Sequence, residues 1–227
     1  MAKACQLAQY LFDKQEPLAE EFERYVSYDA QLGRIVRHPL VYCIVAPPEI
    51  NAVLNQQLLA KTRAVRRAEE ECNWDLYVYL HERAYRLQAF SQIVDEIDDK
   101  TYWRMLGDIW TDSENIWQNE AEWQMFLSAK RALRRHLMNK DECKVLKALP
   151  DMVYIFRGSS KSERRVGMSW TTELVKAEWF ANRFTKPQDV GFVTSACVDK
   201  KDIIAYINRR GEDEVIVLQK HVTLVQH

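Results

Sequence analysis

Three short stretches in the last third of the chain combine residue types that can act on a ligand. Tyr154-Ile155-Phe156-Arg157-Gly158 is an apolar run that ends in an arginine followed at once by glycine. A guanidinium presents a planar fork of donors suited to phosphate or carboxylate, and a residue without Cβ lets a ligand come close to the backbone. Taken alone, the same residues also describe a strand end with an exposed Arg and a turn Gly. Gly167-Met168-Ser169-Trp170-Thr171-Thr172 places hydroxyls ahead of a helix-forming stretch. Thr171 or Thr172 would cap that helix in any protein, whereas Ser169 has no such role and can donate and accept hydrogen bonds inside a cleft. In Arg210-Gly211-Glu212-Asp213-Glu214 the acidic residues run straight into an apolar segment, Val215-Ile216-Val217-Leu218. In extended backbone Glu212 and Glu214 share a side, about 7 Å apart, with Asp213 facing away. A carboxylate at the start of an otherwise buried strand is costly unless paired or used; a charged hairpin ahead of an edge strand is the alternative.

The elements that must position these residues change character near Pro150. Residues 48–149 are charged and helix-periodic, and no Gly or Pro interrupts them between Pro48 and Gly107. Pro47-Pro48-Glu49 predicts a helix start, followed by a stripe of Val53, Leu54, Gln57, Leu58 and Lys61. A second helix is predicted from Asn73 with Leu76, Leu80, Ala84 and Leu87 buried, extending toward Ile93, Val94 and Ile97, and a third around Trp103, Leu106 and Trp110. Trp123, Phe126, Leu127, Leu133 and Leu137 read as one amphipathic helix, and Asp141 as the cap of a last short one. The tryptophans of this part, Trp74, Trp103, Trp110, Trp117 and Trp123, read as packing residues, because aromatics at helical spacing are buried surface. The basic runs 61–67 and 130–136 read as solvated helix faces, with phosphate contact as the alternative. After Pro150 the period falls to two, predicting strands at 152–156, 190–198, 214–219 and 222–225 and one helix, 173–184, capped by Thr172 with Leu174, Ala177, Ala181 and Phe184 on one face. Helices first and strands later predict an α+β fold, divided into a mainly α-helical region, 1–149, and a β-rich region, 150–227.

Composition narrows the function classes. The chain has 227 residues, of which 47% are hydrophobic and 29% charged, as in ordinary globular proteins rather than disordered ones. A net charge of -1 gives no global attraction to nucleic acid or anionic lipid, so no membrane partner is expected and a macromolecular partner is sought among proteins first. No apolar run reaches the length of a bilayer span, and no signal-peptide pattern is read at the start, so a cytoplasmic location is expected. Five scattered cysteines without a CxxC pair read as reduced thiols, and no zinc-ligand spacing or HExxH motif points to a metal.

Together the three motifs resemble, in order and spacing, the Arg, Ser, Glu class of ADP-ribosyltransferases, NAD-consuming enzymes that include bacterial toxins and bacteriophage-encoded modifying enzymes. YIFRG, SWTT with its following WFA helix, and RGEDEV look especially like phage and prophage members. The resemblance covers roughly residues 150–227 and implies a small split β-sheet core behind the helical region. It implies that NAD is the substrate, with Arg157 on a phosphate or the nicotinamide ribose, the Gly158 backbone on the carboxamide, and Ser169 orienting the catalytic Glu214. Glu214 would bind the ribose 2'-hydroxyl and stabilise the oxocarbenium ion formed as nicotinamide leaves. Glu212 would face the acceptor, and in the family such a residue often accompanies modification of arginine. Thr171 would be the supporting hydroxyl, with Trp170 departing from the Ser-Thr-Ser pattern. Phe180, Phe184 and Phe192 are candidates to stack on nicotinamide, and Lys161, Arg164 and Arg165 to supply positive potential. The acceptor implied is a bacterial protein, reached in the host cytoplasm if the enzyme is phage-borne. An NAD glycohydrolase and a non-catalytic interaction module are the alternatives.

Overall fold

The computed structural model describes residues 15–114, 116–183, 185 and 191–225. The chain forms two compact units, Met1–Ile97 and Asp98–His227. The boundary expected at 149/150 therefore falls inside the second unit, because the helices after residue 97 pack with the strands that follow them. Among the described residues no helix is long and apolar enough to cross a membrane. Cys43, Cys72, Cys143 and Cys197 are free thiols, and Cys5 lies outside the described residues.

The first unit is not purely helical. Among the described residues a 3-10 turn, Glu20–Tyr25, leads into an antiparallel meander, β1 (Val26–Asp29), β2 (Gly33–His38) and β3 (Val41–Cys43). The Asp29 carboxylate accepts from the amides of Gln31 (2.8 Å) and Leu32 (3.0 Å), and Gly33 takes φ +72°, a combination that closes the β1–β2 turn. These strands were not read from the sequence, in which residues 1–149 read as a mainly α-helical region: they are short, and Ile35-Val36 shows no alternation. After the meander come α1 (Asn51–Glu70), α2 (Trp74–Leu80) and α3 (Arg86–Ser91). The single helix expected from Asn73 breaks at His81, which is extended (ψ 146°), so Leu76 stays exposed while Leu87, Ile93 and Ile97 are buried. Phe22, Val36, Val41, Leu54 and Leu58 form this unit's core.

The second unit builds the site. Its first α-helices are α4 (Asp99–Asp112), α5 (Glu120–Leu127) and α6 (Lys140–Ala148). Asp98 caps α4, its carboxylate accepting from the Thr101 amide at 2.7 Å. The helix expected to run through Leu133 ends at Leu127 instead, and Leu133 sits in left-handed backbone, φ 62°. Asn139, rather than Asp141, caps α6 in a capping box with Glu142.

Six strands follow in one antiparallel sheet, β4 (Met152–Ser159), β5 (Ser169–Thr171), β6 (Phe192–Asp199), β7 (Ile203–Ile207), β8 (Glu214–Val217) and β9 (Thr223–Leu224), ordered β7-β8-β5-β4-β6-β9. β4 pairs with β6 along all of its 8 residues, but with β5 only at Phe156↔Thr171. Past Phe156 the two halves of the sheet part. Val153, Ile155, Trp170, Ala196, Val215 and Val217 bury one face. The helix α7 (Leu174–Asn182) lies on β4: a Cβ at Gly158 would stand 1.9 Å from the Ala177 carbonyl oxygen, so this glycine is required by helix-on-strand packing. The cap expected at Thr172 is not formed, since Glu173 takes the N-cap position and its amide donates to Thr171 Oγ1 at 3.1 Å. Phe184 and Val190 lie outside the described residues. The fold class is α+β with antiparallel sheets, as expected from the element order.

Candidate active site

Arg157 stands where β4 leaves β5. Its Nε donates to the carbonyl of Arg164 (3.1 Å) and its Nη1 to that of Ser169 (2.5 Å), tying the end of β4 to the segment that enters β5. Gly167 makes room for this, because a Cβ there would meet the guanidinium carbon at 2.9 Å. Burial works against the charge on Arg157, while Glu214 and then Glu120 favour it.

Glu214 is the first residue of β8, opposite Thr171 of β5. The Ser169 hydroxyl donates to Glu214 Oε1, and the Trp110 indole, brought in by the last turn of α4, also donates to the carboxylate. Burial pushes the Glu214 pKa above the ordinary range; the Ser169 and Trp110 hydrogen bonds oppose that, the charge of Glu212 adds to it and Arg210 lowers it. Ser169 and Glu214, from separate motifs, are thus bonded to each other.

The segment Glu212-Asp213-Glu214 is not extended, contrary to the sequence expectation. Asp213 takes φ 46°, left-handed backbone that Asp tolerates better than most residues. Its carboxylate is held by Lys176 Nζ and by the Tyr206 hydroxyl, its amide donates to Asn208 Oδ1 (3.0 Å), and its carbonyl accepts from the Thr172 amide (3.2 Å). The Thr171 hydroxyl donates to the Glu212 carbonyl at 2.9 Å. These bonds fix a turn from which Glu212 and Glu214 still line the same cavities.

Three adjoining cavities meet at Ser169. One of about 270 Å³ is lined by Glu212, Glu214, Trp110, Arg210 and Phe180 among others. A second, of about 170 Å³, adds Arg157, Gly158 and Thr171 to Glu212, Glu214 and Phe180. The third, of about 310 Å³, runs from Arg157 and Ser169 to Trp117, Glu120 and Arg164. Of the aromatic candidates, Phe180 lines two of these spaces, whereas Phe192 lies beneath the Arg165 guanidinium, 5.4 Å from its ring centre. Arg164 stacks on Trp117 at 3.5 Å, and Lys161 closes a local turn with Ser159 through its backbone.

Sequence reasoning missed Trp110, Arg210 and Asp213. Trp110 is buried against Trp123 as expected of a core residue, with ring centres 4.9 Å apart, yet its N–H is used by the carboxylate. Periodicity finds the buried ring and cannot find that bond. Arg210 pairs with Glu212 (3.0 Å) and donates to the Thr111 carbonyl (3.1 Å).

Comparison with protein families, curated proteins and solved structures finds no match to this chain. The chemistry must therefore be argued from the site. A carboxylate bonded by two neutral donors, facing a cleft and reached by arginine charge only through space, is suited to meet positive charge that develops on a bound molecule.

Proposed function

We propose that the protein is a mono-ADP-ribosyltransferase that transfers ADP-ribose from NAD to a side chain of a bacterial protein and releases nicotinamide. The observation that carries this reading is the Ser169–Glu214 hydrogen bond at the point where the three cavities meet, with Arg157 beside it. The parting of β4 from β5 after Phe156 supports it too, since it leaves the β4 edge at Arg157 and Gly158 without a β5 partner where a carboxamide can bond the backbone.

In this reading Arg157 holds a phosphate or the nicotinamide ribose of NAD, and Phe180 offers a ring face to the nicotinamide. Ser169 and Trp110 aim the Glu214 carboxylate at the ribose. As the bond between ribose C1' and the nicotinamide nitrogen breaks, its electron pair leaves with nicotinamide and the Glu214 charge stabilises the oxocarbenium ion. Binding a positively charged nicotinamide ring next to Glu214 also favours its ionised form, offsetting the effect of burial. Glu212, on the acceptor side, takes the proton of the attacking group.

The test is incubation with NAD labelled in its adenosine half, with and without a bacterial lysate, following free nicotinamide and labelled macromolecules. Label that needs both lysate and Glu214 supports the transferase. Nicotinamide release without macromolecular label assigns a glycohydrolase, and neither signal leaves a binding module.

A further inference from the structure

We infer that the basic face formed by residues 130–147 docks an acidic, partly apolar protein surface; that this surface belongs to the acceptor rests on the transferase reading above. Between Ser128 and Leu149 stand seven Lys or Arg against two acids, an excess of five positive charges in a chain whose net charge is -1. The two acids do little to offset it at the surface. Glu142 is buried and bonded within the fold, and Asp141 pairs with Lys144 at 2.7 Å. Lys130, Arg134, Arg135, Lys140 and Lys147 are exposed, and no ion pair holds them among the described residues.

The basic run 130–136 is not the solvated helix face that its sequence suggests. α5 ends at Leu127, and the run forms a loop that enters the 3-10 turn Arg134–Leu137. Its backbone is fastened to the fold: the Trp103 indole donates to the Ala132 carbonyl (2.8 Å), the Ala132 amide to Asp99 (3.0 Å), and Arg209 to the Leu137 carbonyl (2.9 Å). Lys140, Lys144 and Lys147 follow on one stripe of α6, four and three residues apart. A face held in place before its partner arrives has less ordering to lose on docking.

Leu133 adds a second, independent sign of a protein partner. It is 41% exposed and sits in left-handed backbone (φ 62°), a conformation that suits Gly or Asn rather than a bulky apolar side chain. Val145 is exposed as well, at 40%. Apolar side chains among cations fit a protein surface better than a phosphate backbone, and residues 128–149 hold no Phe, Tyr or Trp on which a base could stack. The face reaches the cleft through the loop between β7 and β8. The Asn208 amide donates to Glu142 Oε1 (2.9 Å), Arg209 bonds Leu137, and the next residue, Arg210, lines the cavity with Glu212. A partner seated on residues 130–147 therefore adjoins the cavity on its Glu212 side.

Full-length protein is titrated against a fluorescein-labelled peptide of Glu and Leu, with an all-Glu peptide of equal charge and a duplex RNA as comparisons, following anisotropy at rising salt. The Glu and Leu peptide should bind tightest, and its binding should weaken with salt. Arg134→Glu with Lys140→Glu and Lys147→Glu should weaken it by about tenfold or more. Arg63→Glu with Arg66→Glu and Arg67→Glu, an equal charge change on α1, should leave it within about twofold. Matching Gln variants repeat the comparison should a reversal lower the melting temperature. Leu133→Gly, which relieves the backbone, should melt close to the wild type and yet bind the Glu and Leu peptide about threefold more weakly. Equal weakening by both reversed sets, tighter binding of the RNA or the all-Glu peptide, or no peptide binding by the wild type overturns the inference. With NAD, the variant reversed at 134, 140 and 147 should release nicotinamide in buffer at the wild-type rate and label lysate proteins far less; undiminished labelling overturns the assignment of the face to the acceptor. No nicotinamide release from any of these proteins overturns the transferase reading and leaves the peptide titrations to decide the docking face.

Discussion

Two carboxylates in the second unit, Glu142 buried and Glu214 half-buried, stand in opposite surroundings. Glu142, 3% exposed at the start of α6, accepts from the amides of Asn139 (2.7 Å) and Asn208 (2.9 Å) and pairs with Arg209 (3.6 Å). Backbone donors and a cation compensate its charge, and the bonds join α6 to the loop that follows β7. Glu214 is bonded instead by a hydroxyl and an indole, both neutral, feels Arg157 and Arg210 only through space, and borders two cavities. Burial lifts its proton affinity because that set of partners is incomplete for an anion. A carboxylate whose bonding is complete holds a fold together. One that no cation bonds directly and that is open to a cleft is held ready for a ligand that brings positive charge.

The contrast can be broken first at Glu214. Glu214→Gln keeps an acceptor for Ser169 but removes the charge, and nicotinamide release should fall about a thousandfold, the scale of losing a preorganised electrostatic contact in the transition state. Glu142→Gln acts on the other side of the comparison: Arg209 loses a partner and the α6 cap is disturbed, so unfolding in denaturant should show a loss of about 3 kcal/mol. The rate of nicotinamide release per folded molecule should stay near that of the wild type. Ser169→Ala removes one hydrogen bond to a charged group, and kcat should drop roughly 10- to 100-fold, matching the 1.5–3 kcal/mol of such bonds. KM for NAD should change much less.

The smallest effect is a pH dependence of stability. A carboxyl whose folded pKa is raised binds its proton more tightly in the folded state. Its contribution is fully present below the unfolded value, about 4.3 for Glu, and is lost as pH rises through the higher folded value. The melting temperature of Glu214→Gln should therefore gain on that of the wild type as pH rises from acid to neutral. The kcat/KM of nicotinamide release by the wild type, which reports the ionised form in the free enzyme, should decline on the acid side at a pH above the ordinary Glu range.

Residue types pointed to the three motifs, each weak by itself, and the roles of their residues came only from the family resemblance. Arg157, Ser169 and Glu214 stand out because an arginine, an unneeded hydroxyl and a carboxylate interrupt segments that otherwise want burial. The long helices α1 and α4 and the strands β4 and β6 were legible from their periods. What periodicity cannot see is a backbone turn stabilised from far along the chain. Asp213 reads as part of an extended strand until Lys176, Tyr206 and Asn208 are known to hold it in left-handed backbone. Trp110 is similar: its place on the buried stripe of α4 is visible, and its bond to a carboxylate on β8 is a tertiary fact. β7 was missed because residues 203–207 are buried on both faces and show no alternation.

The most direct test sets the two carboxylates side by side. Nicotinamide release and melting temperature are measured at pH 7.5 for the wild type, Glu214→Gln and Glu142→Gln. The account predicts a crossed result, in which Glu214→Gln melts no lower than the wild type and releases almost no nicotinamide, while Glu142→Gln melts lower and still releases it. Near-normal release by Glu214→Gln would contradict the assignment of this carboxylate to the chemistry.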